Sequence, residues 1–120
     1  MPRSLVIKLT VAAETPERCV QALTVAATAV ASGVSVSLWL TGDSVFFVVP
    51  GREPAIELAY SPPVADLIAA ISEGGRITAC TQCVARRGLT QEDLAPGVRI
   101  AGAAGFLDEA LVEGAQALVY

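Results

Sequence analysis

Histidine is absent from this sequence. That removes Ser-His-Asp and Cys-His nucleophile pairs, imidazole metal sites and histidine acid–base chemistry. Lysine is nearly absent: Lys8 is the single one among 8 basic residues, which face 12 acidic ones for a formal charge of −4. A mildly acidic chain without a basic run is a poor nucleic-acid binder. Cysteine occurs three times, as Cys19, Cys80 and Cys83. An odd count is no disulfide framework. Internal repeats, linkers and low-complexity stretches are also missing.

What is present is apolar. Hydrophobic residues make up 53% of the 120 and charged residues 17%. That balance excludes a disordered chain or a coiled coil, and the length predicts one domain over 1–120 whose core needs no disulfides. Cys19 to Leu40 carries no charge and is long enough to test as a membrane span, which takes about 20 residues. Gln21, Thr24, Thr28, Ser32, Ser35 and Ser37 interrupt it, many of its apolar residues are alanine, and its pattern changes at Gly33. It reads as a helix followed by a strand. The start reads as a first strand, not a signal peptide. The expected location is the cytoplasm.

Leu5, Ile7, Leu9 and Val11 alternate with Val6, Lys8 and Thr10, which predicts a strand. Thr15-Pro16-Glu17 supplies a cap, a first-turn proline and an early acid for a helix from Pro16 to Ser32. Cys19, Leu23, Ala26, Ala27 and Val30 form its apolar stripe, and Gly33 ends it. Val34, Val36, Leu38 and Leu40 make a second strand, parallel to the first. Thr41 to Ser44 is a turn. For Val45 to Val49, a short strand and a buried helical turn fit equally. Pro50 to Pro63 holds four of the seven prolines and reads as a long connection with a helical turn over Glu53 to Ala59. Val64, Leu67, Ile68 and Ile71 mark a helix ended by Gly74-Gly75. Arg76 to Ala79 is a third strand, Thr81 to Arg87 a helix closed by Gly88, and Val98 to Ala101 a fourth strand. Phe106, Leu107, Ala110 and Leu111 are expected on the inner face of a last helix, with Asp108, Glu109 and Glu113 opposite. Ala117 to Tyr120 closes the chain as a strand. The alternation predicts an α/β fold: three layers, α/β/α, around a mostly parallel five-stranded sheet.

Chemistry concentrates in Ala79-Cys80-Thr81-Gln82-Cys83-Val84-Ala85-Arg86-Arg87-Gly88. Cys80 falls where a strand gives way to a helix, and open α/β sheets bind ligands beyond the carboxyl ends of their strands. Helix N–H groups there favour a thiolate. Cys83, one turn on, brings a second sulfur within reach. A persulfide carrier at Cys80, a dithiol redox pair and two packed apolar residues all fit this spacing. Three cysteines without histidine do not make a zinc site in one chain, although pairs from two subunits would supply four thiolates. Cys19 lies on an apolar stripe and reads as structural. Arg86 and Arg87 either complement the helix dipole or face an anion or acidic partner. Asp43 reads first as a turn residue, at the same edge as Cys80. Gly102-Ala103-Ala104-Gly105 matches neither a GxGxxG nor a P-loop pattern and reads as a tight turn.

The strand ending in Cys-x-x-Cys, the following Ala-Arg-Arg-Gly-Leu, the Leu-x-x-Gly-Val strand and the Leu-Thr-Gly-Asp turn together resemble the DsrE/DsrF-like sulfur-relay family, in its Cys-x-x-Cys homomeric branch. The resemblance implies a five-stranded parallel sheet ordered 4-3-2-1-5, homotrimers or hexamers, and intracellular sulfur transfer. It aligns Cys80 with the persulfide-carrying cysteine, Arg87-Gly88 with the Arg-Gly pair that follows it, and Cys83 with the branch's second cysteine. The expected function is therefore a sulfur carrier, sulfurtransferase-like, using Cys80 and Cys83, with Arg86, Arg87 and Asp43 toward anions or partners. No cofactor and no metal are expected. The expected partners are further copies of the chain and sulfur donor and acceptor proteins, without nucleic acid or membrane. A non-catalytic homo-oligomeric scaffold, with Trp39 on the subunit interface, is the alternative of another class. A dithiol redox protein is a third.

Overall fold

The computed structural model describes residues 3–120. The first alternating segment forms β1 (Ser4–Leu9), ending before Val11. Ile7 and Leu9 turn into the main core and Lys8 to the other face. Pro16 opens α1 (Pro16–Ala31), which buries Cys19, Val20, Ala22, Leu23 and Ala26. The buried face is thus centred slightly earlier than the expected stripe. Gly33 follows with φ +80°, a left-handed conformation that favours glycine. Then β2 (Ser35–Leu40) sends Val36, Leu38 and Leu40 into the same core.

The apolar run after β2 becomes a 3-10 helix, Gly42–Val48, which settles the strand-or-helix ambiguity. Its entry bends at Gly42, φ +59°. The Thr41 N–H is shared between the Leu9 carbonyl of β1 at 3.0 Å and the Ser44 hydroxyl at 2.9 Å, which ties the turn to the end of the ladder. The helical turn expected over Glu53–Ala59 does not form; residues 52–58 have no regular structure. Pro54 lacks an N–H and restricts Glu53 to extended backbone, which opposes helix initiation there.

Helix α2 (Val64–Gly74) buries Leu67 and Ile71 and packs on α1. It leads into β3 (Arg76–Cys80), α3 (Thr81–Arg86), β4 (Arg99–Ala101), α4 (Ala103–Ala110) and β5 (Ala115–Val119). All pairings are parallel, and the strand order is β4-β3-β2-β1-β5. This is the three-layer α/β/α architecture anticipated from the alternation. α1 and α2 cover one face, and Cys83 and Val84 of α3 join that apolar core. The return from β4 to β5 crosses the opposite face through α4.

The last helix keeps Phe106 and Ala110 inward as expected, but turns Leu107 and Leu111 out and Glu109 in. Leu107 and Leu111 are 53% and 78% exposed, while the Glu109 side chain is only 17% exposed. The reason lies in the strand residues beneath it. Ser37, Trp39 and Arg99 all donate to Glu109, so polar satisfaction outweighs the burial of two leucines. Trp39 is 1% exposed and packs edge-on to Phe106, ring centroids 5.5 Å apart. It is therefore buried within the subunit, not presented at an interface as the scaffold alternative supposed.

Candidate functional site

The main-chain route fixes where a site can form. The chain leaves β3 through α3 on one face of the sheet and leaves β4 through α4 on the other. Adjacent strands whose connections diverge in this way open a crevice at their carboxyl ends. The residues paired at that point are Cys80 and Ala101. Cys80 is the last residue of β3 and directly precedes α3. It continues the pleat phase of Thr78 along β3, and its side chain is partly exposed, resting against the edge of the apolar core beside Cys83.

Several forces act on the Cys80 sulfur. Partial burial raises the thiol, but the net displacement is downward from the ordinary value of 9.0. The Cys83 N–H and thiol, the Gln82 N–H and the positive charge of Lys8 together outweigh the burial. Neither N–H closes a regular capping hydrogen bond; both act as dipoles turned toward the sulfur. Cys83 itself is buried, and its Sγ accepts the Gly42 N–H at 3.2 Å. The arrangement is an outer, partly exposed sulfur beside an inner, sequestered one. Cys19 contrasts with both: burial, and secondarily the charge of Glu14, pushes its thiol up to about 12. It is wholly enclosed in the core, as its place on the α1 stripe implied.

Asp43 and Arg87 meet at this edge. One Asp43 carboxylate oxygen accepts from Arg87 Nε at 3.0 Å and from Nη2 at 2.8 Å. Arg87 Nη1 donates to the Cys83 carbonyl at 3.0 Å. Arg87 thus ties the end of α3 to the turn that holds Cys83 in place. Arg86 is exposed, one position away. Gly102, the first residue of the expected tight turn, precedes α4, whose first turn is formed by Ala103, Ala104 and Gly105.

Two features escaped the reading of the sequence. One is Lys8, whose ammonium lies 4.8 Å from the centroid of the Phe106 ring. The other is the cluster around Glu109. Its carboxylate accepts from Ser37, from Trp39 Nε1 at 3.1 Å and from Arg99, with Arg76 at 3.5 Å. Arg99 also donates to Thr78 Oγ1 at 3.1 Å and lies over the Trp39 ring. Burial raises the Glu109 carboxyl, yet the bonds from Ser37, Arg99 and Trp39 and the Arg99 charge leave it below its ordinary 4.5. No sequence signal set Glu109 apart from Asp108 and Glu113 on the expected outer face. A cleft of about 450 Å³ next to this cluster opens at the amino ends of β1, β2 and β3, away from Cys80.

The sequence profile of the DsrE/DsrF-like family matches residues 4–118. The chain belongs to the DsrE/DsrF-like family. An uncharacterized protein of Methanopyrus kandleri, MK0008, is 33% identical over 104 residues, covering 83% of either chain. Among solved structures, the YchN protein from E. coli superposes with a TM-score of 0.80 at 19% identity, over 98% of this chain and 99% of that one. MTH1491 from Methanobacterium thermoautotrophicum, a protein of unknown function, superposes with a TM-score of 0.73 at 15% identity over the same shares. These likenesses establish the DsrE-like fold; chemistry has to be argued from the residues. Among the described residues no helix is long and apolar enough to cross a membrane.

Proposed function

We propose that this DsrE/DsrF-like protein is a sulfur carrier that holds sulfane sulfur as a persulfide on Cys80. The observation that carries the reading is the Cys80 environment: a partly exposed thiol with lowered pKa, at the switch point of the sheet, with a second thiol in hydrogen-bonding reach. The Cys80 thiolate attacks the outer sulfur of a persulfide or polysulfide donor. The donor S–S bond breaks, and its inner sulfur leaves as a thiolate with the bonding pair. An acceptor thiolate then attacks the outer sulfur on Cys80, takes it, and returns Cys80 as thiolate. No net oxidation occurs. In a second outlet, the Cys83 thiolate attacks the Cys80 sulfur, closes a Cys80–Cys83 disulfide and expels hydrosulfide. A dithiol reductant reopens the disulfide. The same pair supports the dithiol redox reading, which differs in needing no sulfur donor.

Intact mass after treatment with polysulfide tests the reading. The wild type gains one sulfur atom, and Cys80→Ser does not. Equal gain by both, or none by the wild type, overturns it. Cys83→Ser keeps the added sulfur longer, because the hydrosulfide outlet is closed.

Self-association is part of the proposal. Leu107, Leu111 and Val112 at the end of α4, and Val119 on the edge strand β5, are all more than half exposed. Apolar side chains of this size left in water on α4 and the adjoining edge strand suit a contact between copies. Light scattering checks it. A trimer or hexamer at micromolar concentration supports it, and a monomer overturns it.

A further inference from the structure

Lys8 is the single lysine of the chain and sits on the sheet face that Cys80 shares. The register runs Lys8↔Trp39 and then Trp39↔Thr78, with Cys80 next along β3 on that face. Two strand spacings, about 10 Å, separate β1 from β3. The lysine stem crosses part of that gap and comes to rest with its ammonium 4.8 Å from the Phe106 ring centroid. The ring is itself fixed by Trp39. A cation on an aromatic face is held without being neutralised.

The charged groups on the neighbouring elements are either paired or turned to solvent. From the turn after β2, Asp43 is bound by Arg87, which arrives from α3. From α4, Glu109 is bound by Arg99 of β4, and Asp108 points to solvent. Arg86 is exposed on α3. Among the described residues Lys8 has no carboxylate within ion-pairing distance. Its charge bears on the Cys80 sulfur.

We propose that Lys8, seated on Phe106, is the positioning cation of the sulfur site, holding an anionic sulfur at Cys80 ready for attack. It touches no reacting atom; it sets the fraction of Cys80 present as anion. In a chain without histidine, it supplies the positive charge that an imidazolium supplies elsewhere. The inference rests on Cys80 being the reacting sulfur.

The test is the pH profile of iodoacetamide alkylation at Cys80, with Cys19 and Cys83 followed separately by peptide mass. Lys8→Met keeps the stem and removes the charge. Its profile shifts to higher pH, and alkylation at pH 7 slows about threefold or more. Lys8→Arg restores the wild-type profile. In the wild type, about 1 M salt shortens the screening length to about 3 Å and moves the midpoint up without any substitution. A Lys8→Met profile that overlays the wild type, a Lys8→Arg profile as slow as Lys8→Met, or a salt-insensitive wild type overturns the proposal. Polysulfide loading on the same samples keeps the two readings apart. A profile shift without loading supports the role of Lys8 and counts against sulfur relay. Loading that survives with no profile shift does the reverse.

Discussion

Asp43 and Arg87 are joined by two hydrogen bonds to one carboxylate oxygen, and the same arginine reaches the carbonyl of Cys83. The pair spans 44 residues and closes the α3 segment against the turn whose Gly42 N–H meets the Cys83 sulfur. Asp43 is 58% exposed at its side chain, so solvent screens the charge term. Asp43→Asn is expected to cost about 0.5 kcal/mol or less in thermal stability. Its effect on chemistry is larger. With the clamp loosened, Cys83 becomes accessible, and its alkylation by iodoacetamide accelerates severalfold while the melting temperature barely moves. Unchanged Cys83 protection in Asp43→Asn contradicts this account.

The three cysteines separate by reactivity. Cys80 has a lowered thiol pKa, so its thiolate fraction grows as pH approaches and passes the midpoint below 9.0. Cys19 is held near 12 and is wholly enclosed. Brief alkylation at pH 7 followed by peptide mass mapping therefore labels Cys80 first and leaves Cys19 unmodified in the folded protein. Cys19 labels only after denaturant is added. Equal labelling of Cys19 and Cys80 in the native protein shows this assignment of environments to be wrong.

Gly75 controls how α2 delivers the chain into β3. A Cβ at this position would meet the Val36 carbonyl oxygen at 2.9 Å and the Ile71 carbonyl oxygen at 3.1 Å. Both obstacles are backbone, so neither can rotate away. Gly75→Ala is expected to cost about 1–3 kcal/mol, read by urea denaturation. Gly33→Ala is a useful contrast, since nothing lies within 4 Å of its Cβ and the penalty comes from φ +80° alone. Equal stability of Gly75→Ala and the wild type excludes the close approach.

Patterns carried by backbone chemistry were legible in the sequence; those set by partners from distant strands were not. Thr15-Pro16-Glu17 and Gly33 bracketed α1 to within one residue at its end, because a proline and a glycine act locally. The alternation in β2 read correctly for the same reason. Leu107, Leu111 and Glu109 reversed their expected sides because Ser37, Trp39 and Arg99 lie below, a fact no helical stripe encodes. At the candidate site, the Cys-x-x-Cys spacing and its position after a strand singled out Cys80 and Cys83 as candidates, and the chain does place them at the carboxyl edge. Lys8 read as an ordinary outward strand residue. Only the β1–β2–β3 register places it on the Cys80 face, and register is a property of pairing, not of one segment.

The Glu109 cluster gives the fold an acid-sensitive point. The carboxyl titrates below its ordinary 4.5 in the folded chain, so the folded state favours the ionised form. Its contribution to stability is fully present above that ordinary value and is lost as pH falls through the lower folded value. Protonation weakens the acceptor for Ser37, Trp39 and Arg99 together, and leaves a half-buried guanidinium without its counter-charge. Glu109→Gln imitates the neutral state at every pH. It is expected to lower stability at pH 7 by about 1–2 kcal/mol, after allowance for the partial exposure of Arg99. The gap between wild type and Glu109→Gln should narrow as pH drops below 4.5, because the wild type loses the charge that the variant never had. Thermal melts of both proteins across pH 7 to pH 3 read this directly. Parallel curves, with a gap that does not narrow, remove Glu109 as the acid-sensitive group and return α4 to being held by the Trp39–Phe106 contact alone.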